Sequence, residues 1–167
     1  MSKLYLGIDI GSTTVKIVVL DEARTLLAWR YLRSRGQPRQ TLWAGVQELA
    51  QTVDFAAVAG VGLSGSGGGP IEALIGGYHV NELIAQTRAV GEYYPQARTV
   101  IEIGGQDSKF LAVEWDARSG KMVLVDFAMN NLCAAGTGSF LDQQAERLGI
   151  AIEDEFATLA LQSHNPA

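Results

Sequence analysis

The chain has 167 residues, 47% of them apolar, and 13 lysines and arginines against 18 carboxylates give a net charge of -5. That apolar content builds a core and excludes a disordered or fibrous chain, while cations that are scattered, and dense only from Arg30 to Arg39, exclude a surface that neutralises a nucleic-acid backbone. With no apolar run of membrane-crossing length and an amino terminus that enters a strand pattern directly, the expectation is a cytoplasmic protein with no nucleic acid and no membrane among its partners.

In chain order, Leu4 to Ile10, Val15 to Leu20 and Leu26 to Leu32 carry strand patterns. Their connections are too short for crossover helices, so an antiparallel meander is expected, with Gly11-Ser12-Thr13 at its first corner. Gln40 to Thr52 reads as a helix, with Leu42, Val46, Leu49 and the following Val53 at helical spacing, and Ala56 to Leu63 reads as a buried strand. Gly60 to Gly65 spells the dinucleotide fingerprint Gly-x-Gly-x-x-Gly, but Ser66-Gly67-Gly68-Gly69-Pro70 is expected to break the helix that this fingerprint needs. Two readings of the loop stay open: an element of close approach or hinge motion at a strand's carboxyl end, or a flexible surface loop. Asn81 to Tyr94 reads as a helix closed by Pro95. Glu82 in its first turn either favours the helix dipole or faces a cleft.

The pattern then restarts. Thr99 to Ile103, Phe110 to Trp115 and Lys121 to Phe127 are three more strands, with Asp116 to Gly120 as a hairpin turn. A helix from Thr137 to Gly149 places Leu141, Ala145 and Leu148 on one face, and Glu153 to Gln162 reads as another. The restart is literal at one point. Ile8-Asp9-Ile10-Gly11-Ser12-Thr13-Thr14-Val15-Lys16 recurs 93 residues later as Ile101-Glu102-Ile103-Gly104-Gly105-Gln106-Asp107-Ser108-Lys109. Each copy reads Ile, acid, Ile, Gly, four further residues, Lys. Each is an apolar strand entering a tight polar turn, which lets backbone N–H groups approach phosphate oxygens. Two such turns suggest two half-sites for one polyphosphate, and β-β-β-α twice over points to a duplicated α/β domain.

The first turn offers Asp9 at a strand end, Gly11 for the bend, hydroxyls on Ser12, Thr13 and Thr14, and the point charge of Lys16. Mg²⁺ takes only one or two carboxylates and keeps several waters, so Asp9 suits it through water. An ordinary hairpin with an exposed lysine explains the same residues when they are taken alone. In the second turn Gly104, Gly105 and Ser108 give access to phosphate, and Gln106 and Asp107 can orient a water or a hydrated metal. The expected catalytic set is Asp9, Gln106 and Asp107, with Asp9 and Asp107 around Mg²⁺. Cys133 has no second cysteine to pair with, so it is a thiolate, a metal ligand or a buried apolar group. His79 and His164 lack partners at metal-ligand spacing, and Trp29, Trp43 and Trp115 read as packing or interface residues. No Walker A pattern occurs.

The two turns resemble the first and second phosphate motifs of the actin, sugar-kinase and chaperone-ATPase superfamily. The segment Met129-Asn130-Asn131-Leu132-Cys133-Ala134-Ala135-Gly136-Thr137-Gly138, together with Ile101 to Lys109, is similar to the activator ATPases of 2-hydroxyacyl-CoA dehydratases and the ATPase subunits of benzoyl-CoA reductases. The resemblance covers essentially the whole chain, and Cys-Ala-Ala-Gly-Thr-Gly is its most specific part. It implies an α/β fold of duplicated ribonuclease-H-like, actin-like ATPase domains, ATP or ADP with Mg²⁺, and a dehydratase or reductase partner acting on a CoA thioester. It further implies a 4Fe-4S cluster ligated by Cys133 and shared across a homodimer. Glu102 stands where the superfamily commonly has Asp, which places it behind the metal, and the Arg that often accompanies the Gly-Ser-Gly of this loop is missing.

Such clusters need four thiolates, and one cysteine per chain gives a dimer two. The chain is therefore expected to be an amino-terminal fragment. Residues 1–95 would be the first domain, and 96–167 the truncated start of the second, without the family's adenine pocket. The implied function is an ATP-hydrolysing activator of low-potential electron transfer, the fragment alone being weak or inactive toward ATP. The alternatives are a small-molecule kinase of the same superfamily and a nucleotide-sensing domain without turnover.

Overall fold

A computed structural model describes residues 3–130 and 136–165, apart from the side chain of Pro70. Cys133 and its neighbours 131–135 lie outside the described residues.

The first three strands are β1 (Leu4–Ile10), β2 (Thr14–Leu20) and β3 (Leu26–Arg33), paired antiparallel as the short connections require. Period-2 alternation sends Leu6, Ile8, Ile10, Val15, Ile17 and Val19 to one face, where all six are buried. Helix α1 (Pro38–Leu49) starts on a proline, which loses nothing there because the first N–H groups of a helix have no internal partner. It lays Leu42 and Leu49 on that face, and Gly45 lets it come close: a Cβ there would stand 2.7 Å from Ile17 Cδ1 and 2.8 Å from Leu32 Cδ1.

A short 3-10 turn (Phe55–Ala57), capped by the Asp54 carboxylate, takes the first residues of the predicted buried strand. Strand β4 (Val58–Ser64) then lies parallel to β1, and only Leu63 within it is buried. The glycine run does not abolish a helix. Helix α2 (Gly68–Ile75) begins inside it, because a proline in the first turn costs no hydrogen bond, and Gly76 closes it in the left-handed conformation. Strand β5 (Tyr78–His79) pairs parallel with β4, so the mixed sheet runs β3-β2-β1-β4-β5.

Helix α3 (Glu82–Tyr93) is capped by Asn81, whose Oδ1 accepts from Leu83 N at 2.9 Å. Strands β6 (Thr99–Ile103), β7 (Ser108–Asp116) and β8 (Lys121–Asn130) form a second sheet in that order. The turn between β7 and β8 closes as predicted, with Gly120 at φ +61° donating to Asp116 O. A second core joins Leu83, Leu111, Val113 and Met122. Helix α4 (Gly138–Leu148) ends on left-handed Gly149, and one turn of π-helix (Ile152–Phe156) leads into α5 (Ala157–Leu161). Of the predicted α4 face only Ala145 is buried, while Leu141 and Leu148 stay exposed. Trp29 and Trp43 are also exposed and do not pack the core.

The chain divides into two compact units, residues 1–100 with 111–127, and residues 101–110 with 128–167. No helix among the described residues is long and apolar enough to cross a membrane.

Candidate phosphate-binding turns

The first turn joins β1 to β2, and the pairing register places Asp9 opposite Lys16. Their side chains meet, Lys16 Nζ donating to Asp9 Oδ2 at 2.8 Å, with both about one-third exposed. Lys16 also lies 5.8 Å from the centre of the Tyr31 ring on β3, within cation–π range. The bend closes by Gly11 N donating to Thr14 O at 3.0 Å. A Cβ on Gly11 would find ordinary contacts of 3.5 Å and beyond, so the bend itself does not demand glycine.

Two neighbours support this turn. Ser34, 2% exposed just after β3, donates its N–H to Thr13 O at 2.9 Å and its hydroxyl to Ser12 O at 3.3 Å. On the other side Gly67 N donates to Ile10 O, and Gly65, at φ +83°, has space for no side chain between Ile10 O and Asp9 Oδ1. The glycine loop is thus an element of close approach at the carboxyl end of β1, which decides between its two sequence readings. His79 stands behind it, Nε2 3.4 Å from Gly65 O. Ser34 has no sequence signal beyond being a serine after a strand; its role comes from a chain return 22 residues away.

The second turn repeats the first in detail. Gly104 N donates to Asp107 O at 2.9 Å, the counterpart of the Gly11 to Thr14 bond, and again an acid pairs with a lysine seven residues on. Lys109 Nζ donates to Glu102 Oε2 at 2.7 Å and to Asp107 Oδ1 at 3.0 Å. Here a side chain would crowd the ion pair: a Cβ on Gly104 would lie 2.7 Å from Asp107 Oδ1 and 3.0 Å from Glu102 Oε1. The turn is also tied from behind. Gly138 N donates to Gly104 O at 2.9 Å, Ser139 N to Gly105 O at 2.8 Å, and the Thr137 hydroxyl to Gly105 O at 3.1 Å. Helix α4 therefore docks on the turn through its first backbone N–H groups, which have no partner inside the helix. Ser108 lines a depression of about 340 Å³ with Ile101, Lys109, Phe110, Met129 and Asn130.

Asp9, Gly11, Thr14 and Lys16 thus come together around one bend, and Gly104, Gly105, Asp107 and Lys109 around the other, each within its own unit. The described residues hold no group of three His, Cys, Asp or Glu side chains able to bind a metal. A part-exposed Asp9 fits Mg²⁺, which needs only one or two carboxylates beside water and phosphate. Asp107 fits less well, because its lysine is 3% exposed and held by a second carboxylate, whereas the lysine on Asp9 is 36% exposed.

The model of the BadF/BadG/BcrA/BcrD ATPase family matches residues 6–166. Over 166 residues the chain is 30% identical to the 2-hydroxyisocaproyl-CoA dehydratase activator of Clostridioides difficile, covering 96% of this chain and 58% of that protein. Over 156 residues it is 33% identical to the (R)-2-hydroxyglutaryl-CoA dehydratase activating ATPase of Acidaminococcus fermentans, covering 92% and 57%. The crystal structure of the A. fermentans dehydratase component A superposes with a TM-score of 0.83 at 29% identity, over 99% of this chain and 61% of that one. The C. difficile activator with bound ADPNP gives 0.79 at 28% identity, over 100% and 59%. The chain spans a little over half the length of the curated relatives it matches.

Proposed function

Because the chain belongs to the BadF/BadG/BcrA/BcrD ATPase family, we propose that it serves as an ATP-hydrolysing activator, driving low-potential electron transfer to a dehydratase or reductase that acts on a CoA thioester. The observation that carries this reading is the pair of turns built to one plan, each with its carbonyls bound from behind. Carbonyls that are already bound leave N–H groups as the polar face of the turn, and N–H groups are what an anion needs. The ADPNP-bound relative supports a nucleotide as that anion.

In this reading Gly11, Ser12, Thr13, Thr14 and Lys16 contact phosphate from the first turn, and Gly104, Gly105 and Ser108 from the second. Asp9 holds Mg²⁺ through water. Gln106 orients the attacking water, since phosphoryl transfer to water depends chiefly on positioning and electrostatics. The two turns belong to duplicated ribonuclease-H-like domains. Cys133 would supply one thiolate to a 4Fe-4S cluster shared between two copies of the chain. Four thiolates are needed, and a dimer of these residues supplies two of them. The cluster, when bound, carries the low-potential electron.

The test uses anaerobically purified protein that carries all four cluster ligands, with ATP and a CoA-thioester dehydratase. Wild type is expected to hydrolyse ATP and reduce the partner. Asp9→Ala is expected to lose both while keeping iron, and Cys133→Ala to lose iron and partner reduction while keeping hydrolysis. Partner reduction unchanged in Cys133→Ala would overturn the electron-transfer role. Transfer of the phosphoryl group to a sugar or carboxylate instead of water would replace it with a kinase.

A further inference from the structure

The two lysines of the repeat hold equivalent positions in sequence and unlike positions in space. Lys16 is 36% exposed and meets a single carboxylate and an aromatic ring, so its ammonium can turn to an incoming anion. The side chain of Lys109 is 3% exposed and meets two carboxylates, Glu102 and Asp107, themselves 28% and 30% exposed. A buried ammonium is stable only when paired, and two adjacent carboxylates are stable only with a cation between them. Each therefore satisfies the other's requirement. Gly104 leaves room for both carboxylates, and the bend they frame carries the Gly104 and Gly105 carbonyls that receive helix α4.

We infer that Lys109 is a positioning residue whose own ammonium takes the place of a divalent cation between Glu102 and Asp107. The second turn then offers phosphate its backbone and Gln106, with no metal bridge of its own, while Lys16 is the lysine that touches the anion. Mg²⁺ competes poorly for the pair because it sheds its waters reluctantly and demands near-octahedral oxygen geometry, whereas an ammonium sits between two carboxylates as it stands. The part concerning phosphate rests on the function proposed above; the part concerning Lys109 and the carboxylates does not.

The test uses the 167-residue chain without nucleotide and Mn²⁺ alone as a paramagnetic probe, read by line broadening of the Gly104 and Asp107 amides and by amide exchange at Gly138 and Ser139. Wild type is expected to show no selective broadening at the turn. Lys109→Met is expected to bind Mn²⁺ there at least tenfold more tightly and to exchange Gly138 and Ser139 at least tenfold faster. Lys109→Arg restores both, and adding Glu102→Gln to Lys109→Met removes the metal binding. Mn²⁺ held at the turn of wild type, or a folded Lys109→Met with unchanged metal affinity and exchange, overturns the inference; the wild-type measurement decides it even if Lys109→Met does not fold. A separate titration with ADP tests the nucleotide. Lys16→Met is expected to weaken ADP at least tenfold without changing Mn²⁺ broadening, and ADP bound equally well by wild type and Lys16→Met would count against the role proposed for Lys16 while leaving the Lys109 result standing.

Discussion

Thr137, 1% exposed, donates its hydroxyl to the carbonyl of Gly105, 32 residues earlier in the chain. The bond joins the first turn of α4 to the second bend, beside two backbone bonds that do the same. Thr137→Val keeps the shape and removes the donor. A buried hydrogen bond lost this way costs about 1–2 kcal/mol, so chemical denaturation is expected to show a fall of that size. Amide exchange is expected to rise locally at Gly138 and Ser139, and a fall in stability with no change at those amides would refute the docking role.

Gly91 on α3 and Gly45 on α1 both sit at close helix–sheet contacts, but they meet different atoms. A Cβ on Gly91 would lie 2.5 Å from Met122 Cβ, an atom fixed to the backbone, whereas at Gly45 the neighbours are the terminal methyls of Ile17 and Leu32. Overpacking of this kind costs about 1–3 kcal/mol. Gly91→Ala is expected at the upper end and Gly45→Ala at the lower, measured as midpoints of thermal or urea unfolding. Adding Ile17→Val to Gly45→Ala is expected to recover part of the loss, because it deletes one of the two clashing methyls.

Asn81 caps α3, its Oδ1 accepting from Leu83 N. Asn81→Ala is expected to cost about 1 kcal/mol, the usual loss for a removed cap. Asn81→Asp keeps the acceptor and is expected to stay close to wild type in the same unfolding experiment.

Asp116 at the β7–β8 turn has its carboxyl held below its ordinary value by the Ser119 hydroxyl first and the Arg118 N–H next, with Ser119 N adding to them. An acid lowered in the folded state stabilises above its ordinary value, and that contribution disappears as pH falls through the lower folded value. The turn amides of Arg118 and Ser119 are therefore expected to titrate below the ordinary carboxylate range. Asp116→Asn is expected to abolish that titration in NMR spectra, and amide shifts that titrate as before would assign the effect to another group.

The local chemistry of this protein was legible in its amino acids. Period-2 alternation marks β1, β2 and β7, short connections dictate the meander, Asn81 and Gly149 bound their helices, and the repeat of Ile8 to Lys16 in Ile101 to Lys109 locates both bends. Each of these depends on neighbours a few residues apart, which is the range over which a pattern in sequence is also a pattern in space. The tertiary structure decided what the local pattern leaves equal. Helix α2 forms across Gly68 and Gly69, where propensity alone opposes a helix. Ser34 and Thr137 become the supports of the two bends only because the chain returns after 22 and 32 residues. The same Lys in the same motif is about one-third exposed at Lys16 and enclosed by two carboxylates at Lys109. Burial depends on which segments arrive from far along the chain, so two copies of one motif carry one chemistry in sequence and take two roles in the fold.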